Sequence, residues 1–132
     1  MTNIDLVAQW FNFAGTDLRT AKHIYETQYP KPLNIICYLC QQAAEKALKG
    51  YLVYKEVDPP HIHDLAVLCN ICSEADASFK AIEQPCMDVT PYGVAARYPD
   101  EIAVDELITQ AAIARTQIIY DFALSKVPPL HL

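Results

Sequence analysis

Apolar residues recur at alternating spacings of three and four along most of this chain. Ile4, Val7, Phe11, Ala14, Leu18, Ala21 and Tyr25 trace one such stripe, widened by Trp10 and Phe13, and that period is one face of an α-helix. It predicts a first helix over Ile4 to Tyr25, with Asn3 as N-cap. The helix should end near Tyr29-Pro30, because the residue before proline is pushed away from helical angles. A second helix is predicted from Pro32, a residue suited to a first helical turn, through Ile35, Ile36, Leu39, Cys40, Ala43, Ala47 and Tyr51 to Tyr54. Its first half is apolar on several sides, which makes it the central, most buried element. Its polar residues Gln42, Glu45, Lys46 and Lys49 form one stripe that reads as a solvated face, with Glu45 and Lys49 one turn apart.

Asp58-Pro59-Pro60 breaks the chain before a third helix, predicted from His63-Asp64 to near Phe79 with Leu65, Leu68, Cys69 and Cys72 inward. Pro85, Pro91 and Pro99 cut the next region into one or two short helices. A last long helix is predicted from Asp100 or Glu101 to Ser125, with Val104, Leu107, Ala111, Ala114, Ile118 and Phe122 inward. Acidic residues near its start and Lys126 at its end suit the helix dipole. The expected architecture is all-α: an antiparallel up-and-down four-helix bundle with one or two extra short helices. A single domain is expected over residues 1–132, its core running from about 4 to 126.

Composition narrows this picture. At 132 residues and 52% hydrophobic, the chain buries a real core without disulfides or a structural metal. The formal charge of −6 disfavours broad binding to duplex nucleic acid, which draws on many Lys and Arg contacts to phosphate. It leaves room for one small basic patch. The opening Met1-Thr2-Asn3-Ile4-Asp5 lacks the basic-then-apolar order of a signal peptide, and no apolar run reaches the roughly 18 residues of a membrane span. Five cysteines, an odd count, read as reduced thiols rather than a disulfide framework. A cytoplasmic protein is expected.

Cys37-x-x-Cys40 and Cys69-x-x-Cys72 fit the spacing of a four-cysteine zinc site. Both pairs, however, lie within helical stripes beside Ile36, Leu39, Leu68 and Ile71. Spacing of i and i+3 is also that of one buried helical face, and free cysteine packs as a small hydrophobe. Core packing is the reading adopted, with no metal and no cofactor expected. In His61-Ile62-His63-Asp64, His63 or Asp64 is read as the cap of the third helix. His23 is expected at the surface and His131 in a frayed tail. No Gly-rich phosphate loop is present.

Two segments are less generic. Gln41-Gln42-Ala43-Ala44-Glu45-Lys46-Ala47-Leu48-Lys49 sets a polar, basic stripe on a buried helix, and Ala96-Arg97-Tyr98-Pro99-Asp100 precedes the last one. Together they offer Lys, Arg and a stacking aromatic to a nucleotide or an exposed RNA base. The structural alternative has Asp100 as a cap, Arg97 paired with a carboxylate, and Glu45-Lys49 merely solvated.

The order of these blocks resembles a known family. Asp17-Leu18-x-x-Ala21-x-x-x-Tyr25 is followed by Cys40-Gln41-Gln42-Ala43-Ala44-Glu45-Lys46-Ala47-Leu48-Lys49, then Pro60-x-x-His63-Asp64-Leu65, then Arg97-Tyr98-Pro99-Asp100. This succession resembles the HEPN domain family (higher eukaryotes and prokaryotes nucleotide-binding) from about Asp5 to Ser125. The resemblance implies a helical bundle, commonly a homodimer. Small stand-alone members often accompany a minimal nucleotidyltransferase in a toxin–antitoxin-like pair. Many HEPN proteins are metal-independent ribonucleases with an Arg-x4–6-His motif. Here Arg19 and His23 are separated by three residues, Arg97 has no histidine before His131, and Arg115 has none at the required spacing. No catalytic residue is therefore carried over. The resemblance implies a non-catalytic module that binds a nucleotide, RNA or a nucleotidyltransferase partner. Its nucleotide- or partner-binding residues would be Lys46, Lys49, His63, Asp64, Arg97, Tyr98 and Asp100. The alternative is a divergent ribonuclease toxin in which His63 or His23 works with Arg97 or Arg19.

Overall fold

The computed structural model describes residues 1–94 and 102–132. Its longest elements are α1 (Asn3–Thr27), α2 (Leu33–Tyr54) and α5 (Glu106–Ser125). Between α2 and α5 lie α3 (Leu65–Ala75), a 3₁₀ segment (Ala77–Ile82), α4 (Glu83–Val89) and a second 3₁₀ segment (Thr90–Val94). The all-helical architecture expected from the periodicity is present.

Cross-element contacts give the directions. Asp17 meets Lys46 and Phe11 lies against Gly50, so α1 and α2 are antiparallel. Phe79 stacks near Tyr51, with ring centroids 4.3 Å apart, while Gly93 lies against Gln41, so the stretch through α4 runs back up α2. Arg115 pairs with Asp88 at 3.1 Å and Phe79 meets Phe122, which sends α5 down again. These four form the up-and-down bundle. The extra helix α3 lies along α2 in the same direction, because Gln41 reaches the His63 carbonyl and the Cys72 thiol reaches the Leu48 carbonyl. Residues 55–64 are long enough to return the chain from the end of α2 to its middle. This return matters for the site.

Helix ends follow local chemistry. Thr2, not Asn3, caps α1: its hydroxyl accepts from the Asp5 amide and Asp5 reaches back to the Thr2 amide, a complete capping box. Asp64 caps α3 by accepting from Ala66 and Val67. That helix stops at Ala75, short of Phe79, because Asp76 leaves helical angles and caps the following 3₁₀ segment through Ser78. Phe79 is buried all the same. Likewise α5 starts at Glu106 rather than Asp100 or Glu101, where the Asp105 carboxylate accepts from the Ile108 amide at 2.8 Å. Asp100 and Glu101 lie outside the described residues.

The core gathers Val7, Phe11, Leu48, Tyr51, Leu52, Leu65, Leu68 and Phe79, with α2 at its centre. A second cluster joins Ala21, Ile36, Cys37, Cys40 and Ala112. All five cysteines are buried, as the packing reading of the two Cys-x-x-Cys pairs expects.

One face differs from expectation. The expected inward stripe of α5 is inward only in part: Val104 and Phe122 pack on the core, but Leu107 and Ile118 point outward, 76% and 52% exposed. The helix instead buries Thr109, Ala112, Thr116, Ile119 and Ala123. Small residues let α5 approach α2, and the threonine hydroxyls remain satisfied: Thr109 bonds to the Asp105 carbonyl and Thr116 to the Cys40 carbonyl. α5 therefore has, opposite its buried face, a second apolar strip at Leu107 and Ile118 that is left exposed among the described residues.

Candidate functional site

The site grows from the middle of α2. Glu45 is fixed there by helical geometry, and the returning connector lays His63 across it. The Glu45 and Lys49 side chains are only 9% and 8% exposed, so this pair is a buried ion pair and not a solvated face. Lys49 Nζ lies 3.1 Å from Glu45 Oε2, while His63 Nδ1 lies 2.9 Å from Oε1. Gln41 adds a third donor: its Nε2 reaches Glu45 Oε1 at 3.1 Å and the His63 carbonyl at 2.9 Å. Gln42 Nε2 in turn donates to Gln41 Oε1 at 2.8 Å.

Burial pushes the Glu45 carboxyl up, but the hydrogen bonds from His63, Gln41 and Lys49 outweigh it, and its pKa falls below the usual 4.5. Glu45 is thus an ionised acceptor. His63 Nδ1 must carry the proton it donates, which leaves Nε2 as an acceptor in the neutral ring. The ring is well placed to use it, since the His63 side chain is 67% exposed.

His63 borders a pocket of about 260 Å³, lined also by Gln42, Asp64, Thr90, Gly93 and Val94. Thr90 ties its walls together, accepting from the Leu65 amide and donating to the Cys86 carbonyl. Gly93 is close-fitted: a Cβ there would lie 3.2 Å from Gln41 Cδ. Behind the pocket stands a fully satisfied polar network.

The residues singled out from the sequence divide into three groups. His63 and Asp64 line the pocket together. Lys49 stands behind it, joined through Glu45, with its ammonium engaged inside the bundle. Lys46 binds Asp17 of α1 at 2.6 Å and takes no part in the network. Arg97, Tyr98 and Asp100 lie outside the described residues. Gln41, Gln42, Glu45, Thr90, Gly93 and Val94 are not among the site residues expected from the sequence. Gln41 and Glu45 stand in the polar block read on α2, but nothing local signals that His63, 18 residues on, closes over Glu45. Among the described residues, no group of three or more His, Cys, Asp or Glu converges as a metal site. No described helix is long and apolar enough to cross a membrane.

Known proteins place this geometry in context. The family model described as HEPN domain matches residues 7–127. The crystal structure of TT1696 from Thermus thermophilus superimposes with a TM-score of 0.77 at 23% identity, covering 92% of this chain and 98% of that one. At that identity the likeness speaks for the fold. No curated protein matches the chain.

Proposed function

Because this chain belongs to the HEPN domain family, we propose that it is a non-catalytic binding module whose pocket beside His63 receives a nucleotide or an exposed RNA base. The observation that carries this reading is the Glu45–His63 pair. A buried, ionised carboxylate fixes an exposed imidazole at the mouth of a pocket that also presents Gln42 and Asp64. Such a few convergent polar groups in a concave site are how small ligands are oriented. The absent Arg-x4–6-His spacing supports binding over cleavage. Arg97, Tyr98 and Asp100 remain in the proposed binding set on sequence grounds, and Lys49 enters it as the residue that holds Glu45. Lys46 stays in the proposed set on sequence grounds, with its ammonium engaged by Asp17.

The same proposal includes a homodimer and a minimal nucleotidyltransferase partner in a toxin–antitoxin-like pair. The uncovered apolar face of α5 supports the homodimer, since exposed apolar patches mark interaction surfaces. Titration with mononucleotides and short RNAs, followed by the His63 ring resonances, tests the pocket. Saturable shifts that vanish in His63→Ala and Arg97→Ala support it, and the absence of any shift at millimolar ligand removes it. Co-purification with a nucleotidyltransferase encoded beside this chain tests the partner.

The same pair favours a second reading, a divergent ribonuclease. A carboxylate-oriented imidazole is a competent general acid/base. Growth arrest on expression, abolished by His63→Ala, would support it. RNA cleavage unchanged by replacing all four histidines would exclude it.

A further inference from the structure

The hydrogen-bonding groups left open in the pocket have a marked bias, and it bears on which ligand fits. Asp64 Oδ1 is occupied by the Ala66 and Val67 amides at 2.9 and 3.2 Å, while Oδ2 has no hydrogen-bond partner among the described residues. His63 Nδ1 is held by Glu45, so its remaining ring nitrogen is an acceptor in the neutral form. The Thr90 hydroxyl both accepts and donates within the wall and offers nothing strong inward. Gln42 uses one N–H on Gln41, keeping one N–H and its carbonyl oxygen. With the His63 ring neutral, the side-chain inventory is three acceptors and one donor.

A ligand that matches this inventory brings several donors and a single opposing acceptor. At about 260 Å³ the pocket is below the roughly 300–1,000 Å³ of sites that enclose a whole drug-sized ligand, so it suits one planar group rather than an entire nucleotide. Among nucleobases, guanine carries adjacent N–H donors at N1 and N2 beside the O6 acceptor. Adenine offers one amino group flanked by acceptor nitrogens, and uracil one N–H between two carbonyls. Either would set lone pairs against Asp64 or His63, and a buried polar group left unpaired is expensive.

Resting on the nucleotide-binding reading above, we propose that this pocket selects guanine, with Asp64 Oδ2 and His63 Nε2 accepting from the base and the free Gln42 N–H donating to it. The test is calorimetric titration of the full chain with GMP, IMP, AMP and UMP, on wild type and Asp64→Asn. An asparagine oxygen still caps α3, so the variant keeps the fold, but its amide replaces the free carboxylate oxygen with a donor. Wild type should bind GMP about tenfold tighter than AMP or UMP, the difference of one well-made hydrogen bond to a charged group. IMP, lacking the 2-amino group, should fall between them. Asp64→Asn should lose that preference while its thermal unfolding stays unchanged. Equal binding of GMP and AMP, or a GMP preference that survives in Asp64→Asn, overturns the guanine assignment and leaves the binding module standing. No binding by any of the four removes both.

Discussion

Glu45 and His63 meet across 18 residues of sequence, Oε1 to Nδ1 at 2.9 Å, with the carboxylate buried and the imidazole exposed. The asymmetry gives the pair its direction. Glu45 is also anchored from within by Lys49 and Gln41, so its position does not depend on the ring alone. His63 is thereby presented in one tautomer at the mouth of the pocket. Removing Glu45 would free the ring and leave the Lys49 ammonium, only 8% exposed, without its partner.

That dependence predicts a pH-linked stability. The folded-state pKa of Glu45 lies below 4.5 because three donors outweigh its burial. Its contribution is therefore fully present above the unfolded value and lost as pH falls through the folded one. Glu45→Gln should cost about 3 kcal/mol at neutral pH, the scale of stranding one member of a buried ion pair. In urea unfolding curves the gap between wild type and Glu45→Gln should narrow progressively as the pH is lowered below 4.5. A gap that is constant over that range would show that the carboxylate charge is not what stabilises this site.

How far the sequence carried is seen at Glu45 and along α5. Helix positions and the buried cysteines follow from periodicity, since local spacing decides which residues share a face. The Glu45–Lys49 spacing is one that exposed helices also use, so its burial was not legible: it depends on where residues 55–64 return. Along α5 the larger apolar side chains, Leu107 and Ile118, suggest an inward face by hydrophobicity alone. The observed inward face carries Thr109, Thr116 and Ala112, because close approach to α2 favours small residues. Tertiary fit, not transfer energy, chose between two apolar stripes.

Close approach also governs Gly50. A Cβ added there would lie 2.9 Å from Phe11 Cε2 and 3.0 Å from Trp10 Cβ. Phe11 is fully buried and packs edge-on against Tyr120, with ring centroids 6.1 Å apart, so it has little room to retreat. Gly50→Ala gains about 1 kcal/mol of helix propensity, but overpacking of this kind costs about 1–3 kcal/mol. The net expectation is a lower thermal midpoint, measured by circular dichroism. A midpoint equal to or above wild type would mean that α1 shifts freely on α2.

Four of the five cysteines should be inert to a bulky thiol reagent until the chain unfolds, with Cys69 the exception. Burial pushes Cys40 up to about 12 and raises Cys37 and Cys72 above the ordinary thiol value, while Cys86 is raised first by its hydrogen bond to Cys69 and then by burial. Cys69 differs: a hydrogen bond from Cys86 holds it below that value, and it borders a recess of about 170 Å³ with Ser73, Lys80 and Glu83. Disulfide-exchange titration of the native chain should therefore label Cys69 first and slowly, and all five thiols only in denaturant. Rapid native labelling at Cys37 or Cys40 would contradict the packing of that cluster.

The second face of α5 yields the last prediction. Leu107 and Ile118 stand on one stripe with Ala111 and Ala114, and that stripe faces away from the buried Thr109–Ala123 side. A helix with polar residues outward would have no use for it. Burying one such side chain in an interface is worth about 1.5–3 kcal/mol, so a second copy of the same face would recover several kcal/mol from both helices. Light scattering should then give twice 14.8 kDa for the wild-type chain. Leu107→Asp combined with Ile118→Asp should give a monomer with unchanged helicity, because neither side chain supports the bundle. A wild-type monomer at high concentration, or a double variant that still dimerises, would assign the face to another partner or the dimer to another face.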